Sequence, residues 1–420
     1  MINLVKQLTL KYSFLQGTYW ISQCVIGGFA AVFLRSKNFS NTQIGIVLSL
    51  SLVLSIILQL LVSAFADKVK KISLRNIVMV LMFFVFALAF VLWIAPSSFM
   101  LIAIIFILIL AIQSTLIPLL NALAVEYINK GISMNYGLAR GMGSISFAIA
   151  SYILGIYVAN FGPSNLISIF LFCYCFLILS TFVYKVKIPK STLPAAKIND
   201  KHTSNEMGEN GLNSKEQQTA SATGIVGFFL KYKIFSLHLI GIAMLFYSHN
   251  IINTYLINII ENVGGNSTDM GISLAIAAAV ELPIMAAFIF LVRKFKCNTL
   301  IKISAFFFVV KVGILWLAPN VYVVHISQAL QMFAYALYTP ASVFYVNSII
   351  EEQDKVKGQT MVGVAMCVAG TIANISGGKI LDTIGVGDLL FLGTIVTAIG
   401  FIIICASTIK VTLSDNSAEV

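Results

Sequence analysis

Apolar runs of about 20 residues, each closed by a short polar or glycine-bearing turn, recur along almost the whole chain. A run of that length crosses a hydrocarbon core of about 30 Å as a helix rising about 1.5 Å per residue. The pattern predicts twelve spans, over 12–34, 42–66, 76–95, 100–127, 137–160 and 165–185, then 234–260, 270–292, 299–318, 321–350, 359–381 and 389–409. The first is too long for a signal peptide and has no small-residue cleavage site, so it is read as retained. The longest hydrophilic interruption, Lys187 to Gly224, is rich in Lys, Asn, Ser, Thr and Glu with almost no aromatics. Such a segment cannot bury a core and reads as a linker. The expected organisation is a six-helix bundle over 1–186, a cytoplasmic linker over 187–233, a second six-helix bundle over 234–410 and a cytoplasmic tail over 411–420. Phe228 to Lys233 reads as a short amphipathic lead-in to the second bundle.

The two halves carry a weak internal repeat. Thr42 to Leu48 is TQIGIVL and Thr268 to Leu274 is TDMGISL, so the second span of each half begins alike. The fold class expected is an all-α membrane protein of twelve transmembrane helices in two six-helix, parallel-repeat halves, with a solute site between them at mid-membrane. With 59% hydrophobic and 10% charged residues, a soluble globular domain is excluded. The net charge of +11 invites a nucleic-acid reading, but its distribution removes it. Of the 27 Lys and Arg, only Arg35 and Lys37 fall in loops opposite the termini, with Arg140, Lys311 and Lys379 inside spans. That is the positive-inside pattern, with both termini cytoplasmic.

The polar groups inside the spans are few and therefore informative, because ionisable groups in hydrocarbon are expensive and usually functional. In VEYINKGISMNYGLARGMGSISF, Val125 to Phe147, Glu126 closes one apolar run and Arg140 opens the next. On a helical hairpin the two lie at similar depth, so they are expected to pair. Glu281 and Lys311 lie at nearly equal distance on either side of one short loop and are expected to pair near the midplane. A structural ion pair between neighbouring helices is the competing reading of each. Tyr247, Asn250 and Thr254 share one helix face, flanked by His249 and Asn253, and Gln328, Gln331 and Tyr335 form a second stripe. Gly137, Gly141, Ser144 and Ala148 form a small face beside Arg140, and Gly363, Gly370 and Gly377 recur at sevens, as in closely packed membrane helices. No enzyme signature is present. The histidines and the six cysteines lack metal-ligand spacing, and there is neither a phosphate-binding Gly-rich loop with its Lys nor a serine-hydrolase elbow. No cofactor or metal is expected.

Glu126, the short loop, and Gly137, Arg140 and Gly143 together resemble the sugar-binding hairpin of the lactose permease and its oligosaccharide:proton symporter relatives in the major facilitator superfamily. The resemblance covers nearly the whole chain. It implies that Glu126 and Arg140 hold substrate hydroxyls, with Phe147 in place of the family's stacking tryptophan. It makes Glu281 a further sugar-binding acid and sets Lys311 at the place of a span-nine arginine. Asp67 and Lys68 in SAFADKVKK resemble the superfamily's cytoplasmic gating motif, though Ser63 and Lys70 stand where glycines are usual. The family's span-ten histidine and glutamate appear here as Gln331 and Ala334. Its charge pairs between span seven and spans ten and eleven appear as Asn250 with Met366 and Asn253 with Gln328. Joint loss of both partners is what electrostatics demands of a buried pair.

The expected function is secondary active transport of a small polar solute, a sugar, glycoside or nucleoside, across a bacterial-style inner membrane by alternating access. Glu126, Arg140, Phe147, Asn250, Asn253, Glu281 and Gln331 are the substrate-binding candidates. Glu281, with Lys311 controlling its ionisation, is the candidate for coupling a proton, and Glu126 is the other carboxylate available for it. Asp67 and Lys68 are the gating candidates. The partners implied are the solute, the lipid bilayer and possible proton symport, without nucleic acid, in a chain that its relatives suggest is monomeric. Two alternatives stand beside this: the same fold moving aromatic acids or exporting drugs, and a membrane receptor that binds without transporting.

Overall fold

The computed structural model describes residues 2–68, 72–94, 98–129, 134–184 and 224–408. The predicted tail 411–420 and residues 187–223 of the predicted linker lie outside these. The first half comprises α1 (Ile2–Gln23), α2 (Ala30–Ser36), α3 (Asn41–Lys68), α4 (Leu74–Ile94), α5 (Phe99–Asn129), α6 (Tyr136–Phe161) and α7 (Leu166–Val183). After the short lead-in α8 (Ile225–Lys231), the second half comprises α9 (Lys233–Thr254), α10 (Leu256–Asn262), α11 (Ser267–Lys294) and α12 (Cys297–Trp316). It ends with α13 (Val321–Ala329), α14 (Tyr335–Ile349), α15 (Lys355–Thr383) and α16 (Val386–Ser407). Among the described residues there is no strand. Ten helices among the described residues are long and apolar enough to cross a membrane, and α1 with α2 makes an eleventh span bent by 45°. The span expected over 321–350 is there but broken, α13 and α14 being joined through a 3-10 turn at Leu330–Met332.

The first span of each half breaks at a corresponding place, seven helical residues before its end. After Gln23 the chain passes through a π turn, Cys24–Gly28, before the seven residues of α2. Its counterpart breaks at Tyr255 before the seven residues of α10. The repeat that shows so faintly in the sequence is thus expressed as a shared break, and π turns inside helices commonly sit at functional sites.

Within the first half α1 packs on α6 and α7, and α3 and α4 pack on α5; in the second, α9 packs on α15 and α16, and α12 on α14 and α16. The halves meet through two helix pairs, α6 on α11 and α3 on α15. Close approach there depends on missing side chains. A Cβ on Gly155 would lie 2.8 Å from the Gly271 Cα, and one on Gly271 would lie 2.8 Å from the Gly155 Cα, so α6 and α11 cross backbone to backbone. The predicted small stripes are packed only along part of their length. A Cβ on Gly370 would touch Leu52 at 3.0 Å and one on Gly377 would touch Tyr255 at 2.9 Å, whereas Gly137 and Gly363 have nothing within 4 Å.

Gly137 and Gly363 lie toward the end of the bundle where α1 begins, here called the tail end. At the opposite, far end the halves are hydrogen-bonded. Arg35 of α2 meets Glu261 of α10 at 2.6 Å. The Asp382 carboxylate of α15 accepts from the backbone N–H and side chain of both Asn41 and Thr42, at 2.7 to 3.1 Å, at the N-terminus of α3. A carboxylate at that place also meets the positive end of the helix dipole. Asn258 donates to Asn41 at 3.1 Å. Deeper in, Ser49 donates to the Thr371 carbonyl at 2.9 Å. Among the described residues, the hydrogen bonds crossing between the halves all lie from Ser49 and Thr371 outward, so the far end is closed.

Candidate functional site

Arg140 stands in the second turn of α6, the helix that packs on both α1 and α11. Its guanidinium lies over the Trp20 ring of α1, 5.1 Å from the centroid. Trp20 is held by a chain of polar groups. Its indole N–H donates to Gln16 Oε1 at 3.2 Å, Gln16 Nε2 donates to Tyr12 Oη at 2.6 Å, and Tyr12 donates to Asn121 Oδ1 at 3.2 Å. The indole rests on the bare backbone of Gly143, where a Cβ would lie 2.8 Å from the indole nitrogen. Phe147 meets the same indole edge-on, with ring centroids 6.1 Å apart. Phe147 therefore buttresses Trp20.

The expected ion pair between Arg140 and Glu126 does not form: among the described residues no salt bridge joins them. Glu126 is exposed, in the last turn of α5. The reason is topological. Although consecutive in sequence, α5 and α6 are not packed on each other; α5 lies on α3 and α4 while α6 lies on α1 and α11. Similar depth on a hairpin brings two charges together only if the hairpin's helices are neighbours.

Arg140 stands beside the other half: α6 packs on α11, and a Cβ on Gly141 would lie 3.4 Å from the side chain of Leu282, next to Glu281 in sequence. The expected contact between Glu281 and Lys311 is replaced by a bridge. The Lys311 ammonium, 2% exposed, donates to Gln331 Oε1 at 2.5 Å, and Gln331 Nε2 donates to Glu281 Oε1 at 3.2 Å. One neutral amide satisfies both charges, accepting from the cation and donating to the anion. Gln331 can reach because it occupies the 3-10 turn between α13 and α14. Beside it Tyr335 stacks on His249, with centroids 4.8 Å apart and planes 7° apart, and His249 Nε2 pairs with Asn253 Nδ2 at 3.0 Å.

A cavity of about 260 Å³ opens beside both helix breaks. Gln23, Gly27 and Gly28 line it from the first break, Asn250, Asn253 and Thr254 from the second, and Asn374 from α15. No acid or base is in this lining. Thr254 donates to Asn374 Oδ1 at 2.7 Å and Asn250 to its own helix carbonyl at Phe246, at 2.7 Å. Gln23 Oε1 is buried with no hydrogen-bond partner. The region thus offers hydroxyl-sized donors and acceptors beside a charged cluster and an aromatic face.

Of the candidates named from the sequence, Arg140, Phe147, Glu281, Gln331 and Lys311 gather where α6 meets α11, and Asn250 and Asn253 line the cavity. Glu126 lies apart. The Asp67 side chain lies outside the described residues, and Lys68 is the exposed last residue of α3. Gln16, Trp20, Gln23 and Asn374 were not anticipated. The first three stand four and then three residues apart, a polar stripe on α1 that the helical period exposes. Among the described residues no cluster of His, Cys, Asp or Glu could hold a metal ion.

These features can be set beside known proteins. An uncharacterised transporter, YwbF of Bacillus subtilis (strain 168), is 22% identical over 402 residues, covering 94% of this chain and 93% of that protein. The maltose permease of Geobacillus stearothermophilus is 23% identical over 384 residues, covering 89% and 88%. A crystal structure of the nucleoside transporter NupG superposes with a TM-score of 0.72 at 15% identity, covering 96% of this chain and 98% of that one. A bacterial homologue of the lysosomal transporter Spinster, solved inward-facing and unoccupied, superposes with a TM-score of 0.62 at 13% identity. A family model described as the MFS_1 like family matches residues 12–416. The chain belongs to that family: it is a multi-pass membrane transporter of the major facilitator type and not an enzyme.

Proposed function

We propose that this transporter moves a neutral, hydroxyl-rich solute, a sugar, glycoside or nucleoside, by alternating access, with a proton carried through Glu281. What carries the reading is that α6, whose Arg140 lies over Trp20, packs on α11, whose Glu281 is bonded to Gln331. Charge-assisted hydrogen bonds suit hydroxyls, and an indole face suits an apolar ring face. The amide-lined cavity adjoins this cluster, and its uncharged lining favours a neutral solute over an aromatic acid. The relatives named maltose permease and nucleoside transporter are consistent with that class. Taking both termini as cytoplasmic, as the positive-inside pattern indicates, we read the closed far end as an inward-facing state. The bridging amide of Gln331 supports the coupling role, because a solute hydroxyl that displaces it from Glu281 changes the carboxylate's partners as solute binds.

A thermal-shift screen of the purified protein against sugars, nucleosides and aromatic acids, repeated with Arg140→Ala, tests the substrate class. Stabilisation by a sugar or nucleoside that Arg140→Ala abolishes supports it. Stabilisation by aromatic acids alone, or one that survives the substitution, overturns it.

A further inference from the structure

The polar wall of the cavity at the two helix breaks has a definite hydrogen-bonding sense, because its donors bond back into the protein. Ser51 donates to the Val47 carbonyl at 2.7 Å, and Thr254 donates to Asn374 Oδ1 at 2.7 Å. Asn250 donates to the Phe246 carbonyl at 2.7 Å, and Asn253 Nδ2 pairs with His249 Nε2 at 3.0 Å. A hydroxyl that donates still has its lone pairs, and an amide whose N–H₂ is engaged still has its oxygen. The wall therefore offers chiefly acceptors, and no carboxylate stands among its lining residues.

Gln23 carries this pattern furthest. Its Oε1 is buried and has no partner among the described residues. An unpaired buried acceptor costs the desolvation of that group, so its retention points to a donor that something else supplies. Comparing the two halves isolates the oxygen. Gln23 and Thr254 hold corresponding places, each the last residue of its helix before the break and each in the cavity wall. In the second half that place is satisfied within the protein, through Asn374 of α15. In the first half the acceptor is left without a donor. Gly27 fixes where the amide sits: a Cβ there would lie 2.6 Å from Gln23 Nε2 and 3.3 Å from Gln23 Cδ, so the side chain packs on bare backbone. Trp20 stands three residues before Gln23, on the same side of α1.

We infer that Gln23 is a specificity-determining residue, whose Oε1 accepts a hydrogen bond from a hydroxyl or N–H of the solute. The inference rests on the reading of the solute as a neutral, hydroxyl-rich molecule and names the side of it that this wall selects. A site built around such an acceptor rejects an analogue that lacks the donor, because the buried oxygen is then left unpaired.

The test uses the full-length protein in detergent and three variants. Gln23→Met keeps the side-chain length and removes the acceptor, Gln23→Glu keeps an acceptor, and Gly27→Ala displaces the amide. The unfolding midpoint is measured without solute, and affinity for maltose, glucose, uridine and adenosine is measured by isothermal titration. Without solute, Gln23→Met is expected to raise the midpoint by about 2 °C, since it removes an unpaired buried acceptor. A lowered midpoint means that the oxygen is satisfied within the protein, and it overturns the inference whatever the solute. With a solute that binds, Gln23→Met and Gly27→Ala are each expected to weaken binding about tenfold, and Gln23→Glu to stay within about threefold. Affinity unchanged in both Gln23→Met and Gly27→Ala overturns the inference and leaves the solute reading standing. Binding of none of the four compounds by the unmutated protein overturns the solute reading and, with it, this role for Gln23.

Discussion

Gln331 sets the energetics of the central cluster, because it is the neutral group through which a buried ammonium and a carboxylate are both satisfied. Removing one partner of a buried charge costs more than removing the charges together. Gln331→Leu is therefore expected to destabilise the protein by about 3 kcal/mol. Lys311→Met with Glu281→Gln, which leaves no buried charge in the bridge, is expected to cost less, and comparing the variants' unfolding midpoints checks the order. Trp20 depends on a smaller feature, the bare backbone of Gly143. Gly143→Val is expected to displace the indole and weaken solute binding about as much as Trp20→Ala, some tenfold for one lost aromatic face. Equilibrium binding to the two variants measures it. Arg140, Glu281, Lys311 and Gln331 were legible in the sequence because polar groups inside apolar runs are rare. Their partners were not. The Glu126 pairing failed on a packing fact that hairpin geometry does not contain, and Trp20 acquires its meaning only when α1 is laid on α6.

At the scale of the helix, the small-residue stripes behave like a fastener closed at one end. Gly155 and Gly271, with Gly370 and Gly377, are in close contact toward the far end, while Gly137 and Gly363 on the same stripes face open space at the tail end. Alternating access requires the opposite pattern in the other state, so these two glycines are expected to be needed only there. Gly137→Leu combined with Gly363→Leu should leave the unfolding midpoint within a few degrees and abolish transport; loss of both together, or of neither, contradicts this. The sequence showed the stripes but not which end is closed, since a glycine reads the same in contact or in open space. Outside the spans, α8 is tied to the loop before α15. Lys231 donates to Glu351 at 2.7 Å and to Asp354 at 3.2 Å. The hydrogen bond from Lys231 holds the Glu351 carboxyl below its ordinary range, and the hydrogen bond to Glu351 raises the Lys231 ammonium above its own. The depressed acid contributes above its unfolded pKa and is lost as pH falls through its lower folded value. The raised base contributes below its unfolded pKa and is lost as pH rises through its higher folded value. The tether is thus expected to hold through the neutral range and to release only below the usual carboxylate range or in strong alkali. Amide exchange of residues 225–231, followed against pH, would show protection lost at those limits and nowhere between.

For the molecule as a whole, the twelve-span pattern fixed the architecture because hydrocarbon admits so few backbone solutions. What it could not supply was where spans break. Three of the twelve runs are interrupted, at Cys24–Gly28, at Tyr255 and at Leu330–Met332, and residues at these breaks line the cavity or bridge the charges. Apolar composition continues unchanged through each break, so periodicity reads straight across it. The far-end bond between Arg35 and Glu261 shows the repeat at work: each is the sixth residue of the seven-residue segment that follows its half's break. Two structurally equivalent segments, one from each half, close the far end together, which is what a transporter built from repeats needs of a gate. Solute is expected to bind where the halves meet and to cross as they exchange closed ends. Counterflow in proteoliposomes measures this, with the protein reconstituted against an internal load of unlabelled sugar or nucleoside and entry of the labelled compound followed. The expected result is transient accumulation by the unmutated protein, its retention in Glu281→Gln, which still exchanges solute, and its loss in Arg140→Ala. Counterflow by Arg140→Ala at the unmutated rate, or none by the unmutated protein with any sugar or nucleoside, would contradict the account.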